Sequence, residues 1–331
     1  MLSKTVYQYL DKDYIMKGVY DWLYKEDSGI MAAMPVVTVQ GNGVKYNVET
    51  TDPTGAWVDV GDVIPEDAGA FSQRSAAIYQ LIGDVDVDKS VIDANSTQNP
   101  EMVEIKRKTR GMLRTWHKGM IYGQTTAASS SKQPKGLLRL LAEIESESTT
   151  DLDGVNNTQV IANHATSTDL SLANLERLMD AVKLGTNGLI MSRVSRRKIN
   201  ALARAAGTPT QQEKDEFNHN IEVYNGAKIY INDHMDNNFA DGSSSVLTIA
   251  SHDRSTTYTS GADNTIILAM HMAEDGVCCI QTPNGAFHKE APFTVPNKNA
   301  WRHRFVTYTG FACYNKFALA GLINVYTDAS S

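Results

Sequence analysis

The 331-residue chain has the composition of an ordinary globular protein, with 42% hydrophobic and 21% charged residues. Its formal net charge of −7 argues against a dedicated nucleic-acid-binding protein, because such proteins usually carry a basic excess. Three cysteines, two of them adjacent, make no disulfide framework and favour a reducing compartment such as a cytosol. No apolar run approaches the roughly 18 residues that a membrane span needs, so no membrane partner is expected.

Residues 1–35 are interpreted as an N-terminal arm, and residues 36–75 as a long β-rich excursion. Two short apolar runs on either side of Gly41 and Gly43 predict a β-hairpin, because glycine tolerates the positive φ of a tight turn. The excursion has few apolar side chains, and an isolated hairpin is marginal in water. We therefore expect it to lie on another surface.

A long amphipathic helix, here called the spine helix, is predicted at about residues 100–123. Pro100 suits the first turn, and Asn99 is placed to cap it. The apolar stripe recurs at three- and four-residue steps and consists of Met102, Ile105, Met112, Leu113, Trp116, Met120 and Ile121. The opposite face is basic and carries Lys106, Arg107, Lys108, Arg110, Arg114 and Lys118. The helix is expected to end at Gly123, and the segment that leads the chain away from it, here called the exit, contains Gly136 and runs from Gln133 to Leu138.

An alternation of acids before the spine helix, formed by Asp84, Asp86 and Asp88, resembles a metal-ligand cluster at first. Carboxylates at every second position without a turn-forming glycine do not build an ion loop, so a half-buried strand with solvated acids is favoured. The segments 151–154 and 233–236 also hold potential ligands but lack the further ligands that a site requires. The signatures of serine hydrolases, P-loop NTPases and zinc proteases are absent. We therefore expect no catalytic residue, no cofactor and no metal.

The second half is predicted to form an α/β region over residues 158–290. Ser192 is expected to cap a helix that ends at Gly207. Cys278 and Cys279 are expected in a buried strand, where cysteine acts as a small hydrophobe. The expected strands lie around residues 158–162, 189–191, 221–223, 227–231, 246–250, 265–270 and 277–282.

The end of the chain, residues 301–325, alternates like a strand. One face would carry Trp301, His303 and Phe305, and the other Arg302, Arg304 and Val306. A second basic group besides the spine helix consists of Arg193, Arg196, Arg197, Lys198 and Arg204. Either group can contact phosphate, but a solvated helix face paired with nearby acids is the favoured reading of both.

Taken in order, these elements resemble the major capsid protein of tailed bacteriophages, which has the Hong Kong 97-type α+β fold. The most specific match is the end of the spine helix, from Trp116 to Gly123, running into the exit Gln133–Leu138. The other matching segments are 56–65, 79–92, 187–207, 224–229 and 302–325. The resemblance covers almost the whole chain, and it implies an extended loop at 36–75, a peripheral domain at 76–157 and 291–331, and an axial domain at 158–290.

The resemblance also implies partners. The chain would assemble with itself into hexamers and pentamers of an icosahedral or prolate shell around double-stranded DNA, in the virion and first in the host cytoplasm. A separate scaffolding protein and a portal protein are expected, with a decoration protein as a further candidate. Because the predicted loop begins near residue 36, we also expect no N-terminal maturation cleavage. The candidate contacts between subunits are Trp57, Val58, Ile64, Lys45, Arg107, Arg110 and Arg114.

Three rival interpretations stay open at this point. A nanocompartment shell of the same fold would enclose protein cargo instead of a genome. An α/β enzyme whose site residues meet only in three dimensions is less favoured, as is a nucleic-acid-binding protein that uses the basic face of the spine helix.

A covalent link between Lys45 and Asn297 or Asn299 of a neighbouring subunit is disfavoured, because nothing in the sequence indicates the buried acid that it needs.

Overall fold

The computed structural model describes residues 29–51, 53–63, 66, 68–90, 100–123, 132–144, 158–162, 168–207, 210–214, 220–232, 234–235 and 264–326. Within these ranges the chain forms two large sheets, a two-stranded hairpin and helices packed against the sheets. Several sequence predictions lie outside the described residues. They concern the arm up to residue 28, Ile64, the cap at Asn99, the acids at 151–154, Asp233 and Asp236, and the strand at 246–250.

The long helices and most of the long strands follow the predicted periodicities, and short strands such as residues 211–214 are added. The helices are α1 (Ile30–Ala33), α2 (Pro100–Tyr122), α3 (Leu137–Glu143), α4 (Leu172–Ala181) and α5 (Arg193–Ala205). The strands are β1 (Val36–Thr38), β2 (Gly43–Thr51), β3 (Ala70–Ala77), β4 (Tyr79–Asp88), β5 (Val160–Ala162), β6 (Thr168–Asp169), β7 (Gly188–Met191), β8 (Gln211–Lys214), β9 (Asn220–Tyr224), β10 (Ala227–Ile231), β11 (Asn264–Met270), β12 (Val277–Gln281), β13 (His288–Lys289), β14 (Phe293–Thr294), β15 (Ala300–Cys313) and β16 (Leu319–Tyr326).

The six-stranded sheet is built around the long strand β15. On one side, β4 pairs antiparallel with residues 300–309 of β15. On the other side, β12, β13 and β14 pair with successive stretches of β15, and β1 adds to β12 in parallel. The spine helix α2 covers one face of this sheet, because its buried Ile105, Met112 and Leu113 pack with Phe287 and Phe305.

The eight-stranded sheet has the order β5-β16-β11-β7-β10-β9-β8, with β6 also pairing with β16. Helices α4 and α5 cover one face, where Leu175, Leu178 and Ile199 meet Leu189 and Ile229. Strand β7 is buried at all four positions, as expected for a strand covered on both faces. The predicted start of α5 is confirmed, since Ser192 Oγ accepts a hydrogen bond from the Ser195 N–H at 3.2 Å.

The predicted β-hairpin around Gly41 and Gly43 is wrong. Strand β1 instead pairs in parallel with residues 279–281 of β12, and β2 pairs antiparallel with β3. The glycines therefore mark the point where the chain leaves one sheet for another. The true hairpin is β2–β3, and it forms a separate two-stranded sheet.

The largest hydrophobic core lies where α3 meets both large sheets. Its helical part consists of Trp116, Met120 and Ile121 at the end of α2 and the buried leucines of α3. Side chains of the two sheets complete it, among them Ile190, Tyr230, Ile266, Leu268, Val277, Cys279 and Phe311. The two sheets therefore share one core.

Candidate assembly surfaces

The base of the β2–β3 hairpin is fixed to the body of the protein. The rings of Tyr46 and Tyr314 meet edge to face with centroids 4.9 Å apart, and Val48 and Ala76 are buried. The Arg74 guanidinium donates a hydrogen bond to the carbonyl oxygen of Ile144 at the end of α3. Burial also raises the pKa of Tyr46, so its phenol stays protonated. One face of the hairpin is thus held in place by these contacts.

The segment that joins β2 to β3 presents apolar side chains to solvent. Trp57 is 104% exposed, Val60 102% and Val63 90%, while Val58 is 47% exposed. A local turn supports this arrangement, because the N–H of Asp62 donates to the Asp59 carbonyl oxygen at 3.1 Å and the N–H of Asp59 to Asp62 Oδ2 at 3.0 Å. Contiguous exposed apolar side chains typically mark an interaction site.

Lys45 lies on the exposed face of strand β2. Asn297 and Asn299, its imagined partners in a covalent link, are also exposed, in the segment before β15. The expectation that no covalent link joins the subunits stays a prediction.

The spine helix has the two faces that its sequence predicts. Gly83 of β4 lies directly beneath Met112 and Lys108, since a side chain at residue 83 would meet Lys108 Cε at 2.7 Å. The helix can therefore pack closely on the sheet. Its basic face points away, and Arg107, Arg110 and Arg114 are exposed. Of these, Arg107 is paired with Glu104 at 2.8 Å.

The exit from the spine helix is a close contact between two glycines. The N–H of Gly136 donates to the Gly123 carbonyl oxygen at 2.8 Å, and a side chain at residue 136 would meet the Ile121 carbonyl oxygen at 2.6 Å. This contact turns the chain from α2 into α3 and accounts for the glycine pattern of the sequence.

The acids of β4 form an ion-pair ladder with β15. Arg304 holds Asp84 through two hydrogen bonds of 2.8 and 2.9 Å, and Arg302 holds Asp86 through two of 2.6 and 2.8 Å. These hydrogen bonds lower the pKa of Asp84 and of Asp86. The favoured strand interpretation is confirmed. Among the described residues no group of three or more histidines, cysteines or acids is placed to hold a metal ion.

The buried groups of β12 and β15 are structural. Burial raises the pKa of Cys278 to about 11 and of Cys279 and Cys313 to about 12, so all three thiols stay protonated and unreactive. His303 faces the start of the spine helix, with Nε2 3.2 Å from Glu101 Oε1. The buried His303 alternates with the half-buried Arg302 and Arg304, as the sequence predicts, whereas Val306 on the arginine face is buried.

Sequence reasoning missed several residues of these surfaces. Tyr46 and Arg74 are paired across strands β2 and β3 on the body-facing side of the hairpin. The alternation of Val44, Tyr46 and Val48 with polar residues is the signal for this face of β2, whereas Arg74 stands among polar residues and has no such signal. Val60 and Val63 lie in the same run as Trp57 and are as exposed.

In the described ranges, no helix is long and apolar enough to cross a membrane.

A model of the phage capsid family matches residues 22–272. The fold is similar to the SrpI encapsulin of Synechococcus elongatus PCC 7942, with a TM-score of 0.61 and 14% identity over 92% of this chain and 89% of that chain. It is also similar to the capsid of a native GTA particle (TM-score 0.55, 12% identity, 90% of both chains) and to a structure from Mycobacterium phage Bobi (TM-score 0.54, 14% identity, 90% of both chains).

No curated protein sequence matches the chain. The structural likenesses show the fold, and the Hong Kong 97-type α+β fold expected from the sequence is confirmed. The family match covers most of the chain and implies a structural role in a shell. The chain therefore belongs to the phage capsid family and is a capsid shell protein.

Proposed function

We propose that this chain is the major capsid protein of a tailed phage and assembles into the hexamers and pentamers of an icosahedral or prolate shell. The observation that carries the proposal is the exposed apolar segment of the hairpin, in a chain that matches the phage capsid family. Nothing in the described part of the chain covers Trp57 or Val60. A neighbouring subunit is the surface that would bury them.

The proposed domain division uses the two sheets. The six-stranded sheet with the spine helix would belong to the peripheral domain, and most of the eight-stranded sheet to the axial domain around the hexamer and pentamer axes. The hairpin would be the extended loop, anchored at Tyr46 and Arg74 and free beyond them. Trp57, Val58 and Ile64 are the proposed anchors on the neighbour, because aromatic and branched side chains carry much of the energy of an interface.

Closure of the shell would follow from repeated heterologous contacts. Each subunit would offer its loop to one neighbour and receive a loop from another, which closes rings around five- and six-fold axes. Because many weak contacts act together, misplaced subunits can leave before the shell is complete. The role is structural, and no reaction step is assigned to the chain.

The proposed partners are a separate scaffolding protein, a portal protein, a decoration protein and the packaged double-stranded DNA. Assembly is proposed to occur in the host cytoplasm, with the finished shell in the virion. These partners are supported by the family match and are not part of the geometry of one chain.

Negative-stain electron microscopy of the purified protein tests the proposal directly. We expect closed shells or, in the absence of a scaffolding protein, rings of five and six subunits. A protein that stays monomeric at high concentration, in microscopy and in light scattering, would contradict the proposal.

A nanocompartment shell is the second candidate, and the likeness to an encapsulin favours it. The contents of native shells distinguish the two. Double-stranded DNA inside shells isolated from the source organism would support the phage capsid, whereas a single enclosed protein would support the nanocompartment.

A further inference from the structure

We propose that the exposed basic face of the spine helix contacts nucleic-acid phosphates. This face would then be the surface of the shell protein that meets the genome. The surface is the basic row, defined as Lys106, Arg107, Arg110, Arg114 and Lys118. This inference rests on the proposed function, because the genome is the polyanion that such a shell encloses.

The geometry of the row suits a linear polyanion. Lys106, Arg110, Arg114 and Lys118 recur every four residues and are all exposed, so they form a line along one side of α2. At 1.5 Å per residue, successive members lie about 6 Å apart along the axis, and the line extends over about 18 Å. One strand of a duplex offers a phosphate about every 3.4 Å of its axis, so each cation of the line can find a phosphate.

The charge of the row stands out from the rest of the protein. The whole chain carries a formal net charge of −7, yet the row concentrates five cations on one helix face. Among the described residues, no ion pair ties up Lys106, Arg114 or Lys118, and Glu104 pairs with Arg107. Like charges this close raise the free energy of the isolated subunit, so a polyanion that binds there also relieves repulsion.

A nucleic acid fits this face better than an acidic protein does. Protein interfaces are held by buried aromatic and aliphatic anchors, and protein–DNA interfaces are more polar and much more positively charged. Among the described residues of α2, Val103 is the large hydrophobic side chain that is exposed, at 42%. The exposed side of the helix therefore offers few apolar anchors to a protein partner. Gly111 adjoins the row and has open space in front of its Cα, so no described part of the chain shields the helix there.

The second basic group of the sequence is arranged differently. Arg196 of α5 lies 3.7 Å from Glu222, and Arg204 Nε donates to the Asn200 carbonyl oxygen of its own helix at 3.1 Å. Arg193, Arg197 and Arg204 are nevertheless exposed cations on a helix. Because they equal in number the three cations replaced in the row, helix α5 provides a matched control.

The test is a salt titration of duplex binding by dilute, unassembled protein. A fluorescein-labelled 20-base-pair duplex of random sequence serves as the probe, and fluorescence anisotropy reports binding between 50 and 200 mM NaCl. Four phosphate contacts give a slope of log K against log salt of about −3.6, so the affinity falls about 150-fold over this range. Phosphate contacts carry no sequence information, so a second duplex of different sequence should bind equally.

Two triple variants locate the contact. Lys106→Gln with Arg110→Gln and Arg114→Gln should reduce the slope to about −0.9 and weaken binding at 50 mM NaCl by at least tenfold. Arg193→Gln with Arg197→Gln and Arg204→Gln removes the same number of charges and should leave the slope near −3.6. Equal losses in the two variants would overturn the assignment, because they would indicate a general effect of net charge.

Two further outcomes separate the inference from the proposed function. Shells seen by electron microscopy together with a flat salt titration would overturn the phosphate contact and leave the capsid function standing. Absence of both shells and rings of five or six subunits, together with a steep titration that depends on the row, would overturn the capsid function alone. Tighter binding of poly-L-glutamate than of the duplex, at equal charge concentration, would overturn the inference in favour of an acidic protein partner.

Discussion

Two glycines decide how closely the spine helix and the segment after it can approach each other. A Cβ at residue 136 would meet the Gly123 nitrogen at 2.5 Å and the Ile121 carbonyl oxygen at 2.6 Å, and both are backbone atoms that cannot rotate away. We expect Gly136→Ala to lower the free energy of unfolding by about 1–3 kcal/mol, measured by urea denaturation of the subunit.

The matched control for that substitution is Gly111→Ala in the middle of α2. A Cβ at residue 111 meets nothing within 4 Å, and alanine is the better helix former by about 1 kcal/mol. Gly111→Ala should therefore stabilise the subunit by about that amount. Equal destabilisation by the two substitutions would show that the glycine contact is not the cause.

We expect His303 to make the stability of the subunit depend on pH. It is 2% exposed, and its burial lowers the pKa of its imidazole, with a further lowering by Lys289 and an opposing effect of Glu101. Because the unfolded chain then binds the proton more readily, this stabilisation is complete above the unfolded pKa of about 6.5 and is lost as the pH falls toward the folded value.

We expect the free energy of unfolding to fall between pH 7 and pH 5 more steeply in the wild type than in His303→Gln. The measurement is urea denaturation at a series of pH values. An unchanged pH dependence in His303→Gln would contradict the argument.

At the scale of elements, the hairpin and the spine helix use tryptophan in opposite ways. Trp57 is fully exposed on the segment between β2 and β3, whereas Trp116 of α2 is 6% exposed and contacts Phe311, with ring centroids 5.6 Å apart. Trp57→Ala should leave the melting temperature of the subunit unchanged, since it removes no packing within the chain. It should impair assembly, measured as the fraction of protein in shells by sedimentation.

Trp116→Ala is the contrasting variant. Truncation of a buried tryptophan costs about 3–5 kcal/mol, so the subunit itself should be strongly destabilised. If Trp57→Ala also unfolded the subunit, as measured by circular dichroism, Trp57 would belong to a core of the chain and not to an interface.

At the scale of the whole molecule, the two sheets are linked by a shared core and by a chain that passes more than once from one sheet to the other. The chain returns to the six-stranded sheet with β12 at residues 277–281 and ends in the eight-stranded sheet with β16 at residues 319–326. The core around α3 contains side chains from both sheets. A subunit built this way presents its hairpin and its basic row on one connected body, which a shell of repeated contacts requires.

The sequence by itself determined the parts of the fold that depend on local periodicity. The apolar stripe of α2, the alternation of acids in β4 and the alternation of arginines in β15 follow from side-chain spacing of 3.6 or 2 residues, and all three are present. The cap of α5 follows from the hydroxyl of Ser192 at the start of the helix. The order of the elements also carried the family resemblance. The scarcity of apolar side chains at residues 36–75 also predicts that this excursion needs another surface.

Only the tertiary structure decided which strands are partners. Strand β1 has three residues, and a short apolar run next to glycines predicts a hairpin as readily as a strand in a distant sheet. Its actual partner, β12, lies more than 200 residues further along the chain. Strand pairing is set by hydrogen bonds and packing between distant segments, which leave no periodic signal in either segment alone. For the same reason the sequence predicted only that the spine helix ends near residue 123, and the folded chain alone revealed the close backbone contact between Gly123 and Gly136.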